Sequence, residues 1–259
     1  MTSTCKEEMM DNLILFLLVL FGGCVGSFLN VLIYRIPREE EFVKTPSHCM
    51  TCGHRLAWYE LIPVVSWLIQ GGKCRACGVK LSAQYPTVEA ANALCWLLCG
   101  ILFKGDWVTV ALYCGLASML IALSVIDWRI FIIPNGMNLV IFLLGVARVV
   151  TDPANWLTYV IGMLSVGGVF LLLHIVTGGN GLGMGDVKLV AAAGLLLGWP
   201  RMILAILAGS VAGILIHSQR MKKGAGKRLA FGPYLAGGIF FAALFGTQII
   251  TAYLGLFGL

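Results

Sequence analysis

Four of the nine cysteines in this chain form two Cys-x-x-Cys pairs. The pairs are Cys49-Met-Thr-Cys52 and Cys74-Arg-Ala-Cys77, and a glycine follows each of them. Four thiolates at this spacing predict a structural zinc site, because a tight turn after each pair lets backbone amides point at the sulfur atoms. Unliganded thiols and two local disulfides are the alternatives. His48 and His54 flank the first pair, but four cysteines already complete a tetrahedral shell.

Three of the 12 acidic residues lie at or just within the ends of apolar stretches. They are Glu89, Asp127 and Asp186. An acid in such a place is costly unless it is buried among helices or faces water, so each of the three is a candidate for function. The other acids fall in the N-terminal tail, in a basic loop and in short turns between apolar stretches.

Asp127 and Asp186 are predicted to form a catalytic pair. Asp186 ends a glycine-rich segment in which Gly183 and Gly185 remove side-chain bulk, so that an extended substrate backbone can approach the acid. Two carboxylates that share a site do not both ionise easily, so one keeps a proton while the other acts as a base toward water. This is the chemistry of aspartic peptide hydrolysis.

Two other interpretations of the same acids remain open from these residues. Asp127 could pair with Arg129, and Asp186 with Lys188, as salt bridges at the membrane interface. A glycine-rich loop before an acid can also bind phosphate or line an ion path, although no Gly-Lys-Ser/Thr ending supports nucleotide binding.

The composition predicts a membrane protein that positions these groups between helices. The hydrophobic set supplies 59% of the residues, only 12% are charged, and the mean hydropathy is +0.91. Because a helix needs about 20 apolar residues to cross a bilayer, the uncharged stretches predict an all-α polytopic protein with about eight transmembrane helices. These spans lie near residues 13–34, 86–103, 107–126, 130–150, 156–177, 187–199, 200–217 and 229–257, the sixth being shorter.

The distribution of basic residues predicts the orientation of this bundle. With the N-terminus outside, all of the 18 Lys and Arg residues fall on the inner side except Lys6, Lys104, Arg148 and Arg201. The net charge of +6 then reflects topology and requires no nucleic-acid partner. Both aspartates and the loop of residues 35–85, which we call the cysteine loop, are thereby cytoplasmic, where disulfides are disfavoured.

Three segments are expected along the chain. Residues 1–34 form an N-terminal tail and first transmembrane helix, residues 35–85 form a small cytoplasmic zinc module with four cysteine ligands, and residues 86–259 form a transmembrane peptidase bundle. Only the segment 35–85 is long and polar enough for an extramembrane module.

The chain closely resembles the bacterial prepilin peptidases, also called type IV leader peptidases. The resemblance lies in both cysteine pairs, the Asp127 segment and four further blocks, in the family's order from about residue 22 to 235. These blocks are Gly26-Ser-Phe-Leu-Asn-Val-Leu-Ile-Tyr-Arg-Ile-Pro37, Glu60-Leu-Ile-Pro-Val-Val-Ser-Trp67, Tyr85-Pro-Thr-Val-Glu89 and Gly183-Met-Gly-Asp-Val-Lys-Leu189.

The resemblance implies a bifunctional enzyme of the bacterial inner membrane whose active site faces the cytoplasm. Asp127 and Asp186 would cleave the basic leader of type IV prepilins or type II secretion pseudopilins after a glycine. The cysteine loop belongs to the forms that then methylate the new N-terminal residue with S-adenosylmethionine. Membrane lipid and the pilus or secretion assembly machinery are the other expected partners.

Two residues limit what the resemblance implies. Asn135 stands where many family members have an acid, which weakens any proposal of a third catalytic carboxylate. Glu89 matches a glutamate linked to the methyl-transfer region, but an acid at a helix start is also favoured by the helix dipole, so function and capping both remain open.

Two rival functions come from other classes of protein. A small transporter could use Asp127, Asp186 and Glu89 as a proton or cation relay. Transporter sites usually lie near the middle of the membrane, however, and these acids lie at span ends. A scaffold that docks partners through its zinc module would leave the paired acids and the glycine-rich loop unexplained.

Overall fold

The computed structural model of the chain describes residues 3–41, 44–179, 181–222 and 230–256. Within these ranges the regular secondary structure is helical, and β pairing is limited to two isolated antiparallel bridges in the cysteine loop. The predicted all-α fold is therefore confirmed. The helices are α1 (Ser3–Arg35), α2 (Val65–Ile69), α3 (Gln84–Leu102), α4 (Trp107–Ile130), α5 (Asn135–Thr151), α6 (Trp156–Ile161), α7 (Gly167–Val176), α8 (Met184–Leu197), α9 (Trp199–Lys222) and α10 (Gly232–Gly255).

Six helical segments of the described residues are long and apolar enough to cross a membrane. The predicted number of about eight spans is not confirmed, because α5 has 17 residues and α8 has only 14. At 1.5 Å per residue, α8 extends about 21 Å, whereas the hydrocarbon core is about 30 Å thick. The six spans are Met9–Arg38, Gln84–Leu102, Trp107–Ile130, Pro153–Val176, Trp199–Gln219 and Gly232–Gly255.

The chain divides into two compact units, Met1–Ala122 and Leu123–Leu259. We call them the N-terminal unit and the C-terminal unit. The helix α4 contributes its first turns to one unit and its last turns to the other. The expected division into residues 1–34, 35–85 and 86–259 stays a prediction.

In the N-terminal unit, α1 packs closely against α3. A Cβ atom on Gly26 would lie 2.7 Å from Cα of Glu89, so the two backbones approach to a distance that only glycine permits. Asn92 donates a hydrogen bond to the carbonyl of Gly22 at 2.7 Å and accepts one from Ser118 at 2.9 Å. Small residues and interhelical hydrogen bonds stabilise such contacts where lipid supplies no hydrophobic driving force.

The C-terminal unit is built around α8. Nine of its 14 residues are buried, which agrees with a helix that is apolar on all sides. It packs against α5, α7 and the segment from α6 to α7, which contains a five-residue π-helical turn at Gly162–Val166. A Cβ atom on Gly162 would lie 2.5 Å from the carbonyl oxygen of Gly194, so these two helices cross in direct backbone contact.

The helices of the C-terminal unit alternate in direction, which gathers their ends into two groups. Gly185 at the start of α8 meets Ile133 just before α5, and Asp127 near the end of α4 meets Gly232 at the start of α10. At the other end of α8, Gly198 lies beside Thr158 in α6. Asp127 and Asp186 therefore lie in the same group of helix ends.

Candidate active site and metal cluster

Asp127 lies in the last turn of α4 and is 6% exposed. Its Oδ2 atom accepts a hydrogen bond of 3.0 Å from the backbone amide of Gly232, the first residue of α10. A Cβ atom on Gly232 would lie 2.7 Å from the same oxygen, so the carboxylate and the helix start touch only because residue 232 is glycine. The positive end of the α10 dipole stabilises a negative charge at this oxygen.

Asp186 lies in the first turn of α8, outside the six candidate membrane spans. Burial first, and then the Asp127 carboxylate, raise the pKa of Asp186 to about 6. The two acids are therefore close enough to affect each other's ionisation. The Oδ1 atom of Asp186 is buried and has no hydrogen-bond partner among the described residues. A buried oxygen of this kind is poised to meet a water molecule or a substrate group.

The glycines before Asp186 differ in their surroundings. Gly183 is exposed, and a Cβ atom there would lie 3.2 Å from Oδ2 of Asp186. Gly185 is half-buried, and a Cβ atom there would lie 3.0 Å from Cβ of Ile133. The close packing against Ile133 therefore explains why a residue without a side chain stands at position 185. A role of Gly183 and Gly185 in substrate approach stays a prediction.

Side chains from α5 and α7 hold the backbone that leads into Asp186. Asn138 donates a hydrogen bond of 3.3 Å to the carbonyl of Gly185. A ring nitrogen of His174 lies 2.7 Å from the carbonyl oxygen of Leu182, so α7 fixes the glycine-rich segment. Asn138 and Gly232 were not among the residues predicted for the site. The signals available in the sequence were an asparagine near the start of an apolar stretch and a Gly-Pro pair that begins another.

The arrangement of Lys188 argues against the salt-bridge interpretation of Asp186. The amine of Lys188 donates a hydrogen bond of 2.8 Å to the side chain of Asn135. Residues two apart on a helix do not face each other, which holds for Asp186 with Lys188 and equally for Asp127 with Arg129. Asn135 stands at the position where many family members were expected to have an acid, and its side chain here accepts the hydrogen bond from Lys188.

The four loop cysteines form a compact cluster in the N-terminal unit. Their Sγ atoms lie within 4.8 Å of one another, and the Cys49–Cys77 and Cys52–Cys74 distances are both 4.0 Å. Four bonds of about 2.3 Å to a tetrahedral zinc place sulfur atoms about 3.8 Å apart, so the cluster fits this ion. All four are free thiols, and their separation is about twice a disulfide bond.

The two Cys-x-x-Cys pairs adopt the same turn. The amide of Gly53 donates to the carbonyl of Cys49, and the amide of Gly78 donates in the same way to Cys74. Both glycines have φ of +71°, a conformation that side chains rarely adopt. His54 is not part of the cluster, because its Nε2 atom lies 3.3 Å from the carboxylate of Glu60.

Glu89 is buried in the N-terminal unit, and its Oε2 atom accepts a hydrogen bond of 2.6 Å from the amide of Val64. It thus contacts the start of α2 and does not cap its own helix, α3. Val64 has φ of +62°, which is a strained value for a β-branched residue. Such strain is found where the surrounding structure holds a functional geometry.

Comparison with known proteins identifies two family patterns in the chain. Residues 20–103 match the pattern described as "Bacterial Peptidase A24 N-terminal domain", and residues 114–218 match "Type IV leader peptidase family". No solved structure matches the chain.

Three curated relatives are named "Prepilin leader peptidase/N-methyltransferase". The protein from Stutzerimonas stutzeri is 35% identical, over 97% of this chain and 98% of the relative. The Pseudomonas aeruginosa protein is 33% identical over 93% of each chain. The Bacillus subtilis protein is also 33% identical, over 92% of this chain and 97% of its own.

Proposed function

The chain belongs to the type IV leader peptidase family, and we propose that it is a membrane aspartic endopeptidase that removes leader peptides from prepilins or pseudopilins. Cleavage would follow a glycine and would be carried out by Asp127 and Asp186. The observation that carries this proposal is the meeting of the buried Asp127 and the half-buried Asp186 at one group of helix ends, in a chain whose relatives are named for this activity.

Within the pair, we assign the base to Asp127 and the acid to Asp186. The amide of Gly232 at the positive end of α10 fixes one oxygen of Asp127 and places a donor beside it, and Asp127 takes a proton from the attacking water. Asp186 holds the shared proton at its carboxyl group and donates a hydrogen bond to the carbonyl oxygen of the scissile peptide as negative charge develops there. Because the two acids titrate together, the pair has joint apparent pKa values.

The catalytic face would be at the cytoplasmic side of the bacterial inner membrane. The excess of Lys and Arg on this side of the predicted topology supports the orientation. A precursor would lie in the bilayer with its apolar helix, and its basic leader would remain at the cytoplasmic surface. The assembly machinery of a pilus or a type II secretion system would receive the processed product.

We extend the proposal to zinc and to N-methylation. Cys49, Cys52, Cys74 and Cys77 would hold one structural zinc ion, which stabilises the cysteine loop. S-adenosylmethionine, when bound, supplies the methyl group for the new N-terminal amine. The names of the relatives support this second activity.

A cleavage assay with purified protein tests the peptidase proposal against a transporter. The protein in detergent is incubated with a peptide that carries a basic leader, a Gly-Phe junction and an apolar helix, and mass spectrometry follows the products. Loss of the leader at the Gly-Phe bond is expected. Intact peptide across a set of such substrates would contradict the peptidase function and favour a proton or cation relay.

A further inference from the structure

The N-terminal unit contains a cavity of about 400 Å³ beside the cysteine cluster. Residues of α1, α3 and the cysteine loop line it, and Cys49 and Cys74 form part of its wall. Its volume lies in the range of about 300 to 1,000 Å³ that small-molecule sites occupy. The rings of Tyr34 and Tyr85, which also line the cavity, stack with their centroids 5.5 Å apart.

Glu60 lines this cavity, and one of its carboxylate oxygens has no hydrogen-bond partner among the described residues. Its side chain is 1% exposed, and its Oε2 atom accepts a hydrogen bond of 2.9 Å from the amide of Ala57. That amide, and then His54, hold the pKa of Glu60 below its usual value, so the group is a carboxylate. Its Oε1 atom is buried and has no partner among the described residues. An unpaired buried carboxylate oxygen is costly, which indicates that a hydrogen-bond donor from outside the chain completes it.

Neighbouring groups define the chemistry that this cavity would accept. The indole nitrogen of Trp67 is a second buried atom without a partner in the described chain, and it can only donate. Glu89 adds another buried acid, whereas the guanidinium of Arg35 already donates to the backbone carbonyls of Glu41, Thr45 and Pro46. Arg38 and Lys80 also line the cavity, and Arg38 lies 3.9 Å from Glu40. The cavity therefore offers both acidic and basic groups, aromatic surface, and an acceptor on Glu60 and a donor on Trp67 that have no partner among the described residues.

This combination complements an organic molecule that carries a cationic centre, a carboxylate, amine or hydroxyl donors and a flat heterocycle. S-adenosylmethionine has a sulfonium, an ammonium, a carboxylate, ribose hydroxyls and an adenine ring, so the residues present fit it. We propose that this cavity binds S-adenosylmethionine and that Oε1 of Glu60 accepts a hydrogen bond from it, an assignment that rests on the N-methyltransferase function proposed above. The cysteine cluster then supports methylation by forming a wall of the site.

Equilibrium binding of S-adenosylmethionine to the purified full-length protein tests this assignment without relying on turnover. Glu60→Gln keeps the shape of the side chain and an oxygen for the Ala57 amide, but it removes the charge at the cavity. We expect Glu60→Gln to weaken binding at least about tenfold, since hydrogen bonds to charged groups contribute strongly. Glu41→Gln, a matched change of an exposed acid in the same loop, should bind as the wild type does.

Two further measurements separate failure of the site from failure of the protein. Zinc content and leader cleavage should be unchanged in Glu60→Gln, which shows that the variant is folded. If Glu60→Gln does not fold, ultraviolet crosslinking of labelled S-adenosylmethionine to the wild-type protein replaces the binding experiment with the variant. The crosslinked label should then fall within residues 24–90. Label within residues 123–259, or wild-type affinity in folded Glu60→Gln, would overturn the assignment and leave methylation intact. Wild-type protein that neither binds nor methylates would overturn both.

Discussion

Asp127 and Asp186 are both carboxylates, but their oxygens have different partners. One oxygen of Asp127 accepts a backbone amide at a helix start, whereas one oxygen of Asp186 is buried without a partner among the described residues. Burial and the Asp127 charge raise the pKa of Asp186 to about 6. This asymmetry supports the assignment of the base to Asp127 and of the acid to Asp186.

The raised pKa of Asp186 predicts a stability effect with a definite sign. Its folded-state pKa of about 6 exceeds the ordinary value of 3.8, so the folded state binds more protons and loses stability as the pH rises through this window. Asp186→Asn removes this loss. We expect the variant to be more stable than the wild type by roughly 1 to 3 kcal/mol at pH 8 and equally stable near pH 4. Thermal unfolding in detergent at both pH values measures it, and equal stabilities at pH 8 would contradict the shift.

Gly232 provides a test of the contact that orients Asp127. A Cβ atom at this position would lie 2.7 Å from the carboxylate oxygen, so Gly232→Ala must displace either the acid or the helix start. We expect leader cleavage to fall about 100-fold, since displacements of about 1 Å have this effect on positioned catalytic groups. Gly237→Ala, in the same helix and with no atom within 4 Å of the added Cβ, is the matched control and should cleave normally. Normal cleavage by Gly232→Ala would remove this contact from the mechanism.

At the scale of the elements, the cysteine loop is held by two identical turns and a cluster that fits zinc. Removal of one ligand leaves three thiolates and exposes the loop to unfolding, because a structural metal contributes directly to the stability of its module. We expect the wild type to hold a single zinc, and Cys49→Ser and Cys77→Ser should each lose it. The loop should then be cut by added protease, while leader cleavage by the aspartates persists.

Metal analysis and limited proteolysis check this prediction. Cys24→Ser is the matched control, because Cys24 is exposed on α1 and lies outside the cluster. Wild-type protein that holds no zinc and has disulfides among the four cysteines would refute the metal site. The peptidase function would survive that result.

The sequence predicted some elements well because their signals are local. Each Cys-x-x-Cys-Gly unit specifies its own turn, and long apolar stretches specify long helices. The prediction that the segment near residues 187–199 is a transmembrane span is not confirmed, because α8 has only 14 residues and hydropathy alone does not set the length of a helix. Gly232, Asn138 and Glu60 were missed or left without a role, since each acquires its contact from a residue distant in sequence or from the shape of a cavity.

At the scale of the whole molecule, the predicted topology assigns each loop to one side of the membrane. Lys44 lies in the basic cysteine loop and Ala154 in the turn before α6, and both are exposed. In intact cells, a thiol reagent that cannot cross the membrane should label Ala154→Cys and miss Lys44→Cys until the membrane is opened. Labelling of Lys44→Cys from outside would reverse the orientation and place the aspartates on the outer side.

The two compact units carry separate chemistry in this account. Under the two proposals, peptide cleavage would depend on residues of the C-terminal unit, and S-adenosylmethionine binding would depend on residues of the N-terminal unit. Each activity should therefore be removable without the other. A peptide that already begins with phenylalanine isolates methylation from cleavage and serves as the control for variants of the aspartates.

The most direct test of the central claim is the rate of leader cleavage by Asp127→Asn, Asp186→Asn and the double variant. Asparagine keeps the shape of each side chain but does not exchange a proton, so each single change should nearly abolish cleavage. The double change should add little, as expected for residues that act as a unit. All three should retain zinc and methylate the phenylalanine peptide, and Glu89→Gln should retain substantial cleavage. Robust leader removal by either single variant, at wild-type expression and fold, would contradict a catalytic aspartate pair.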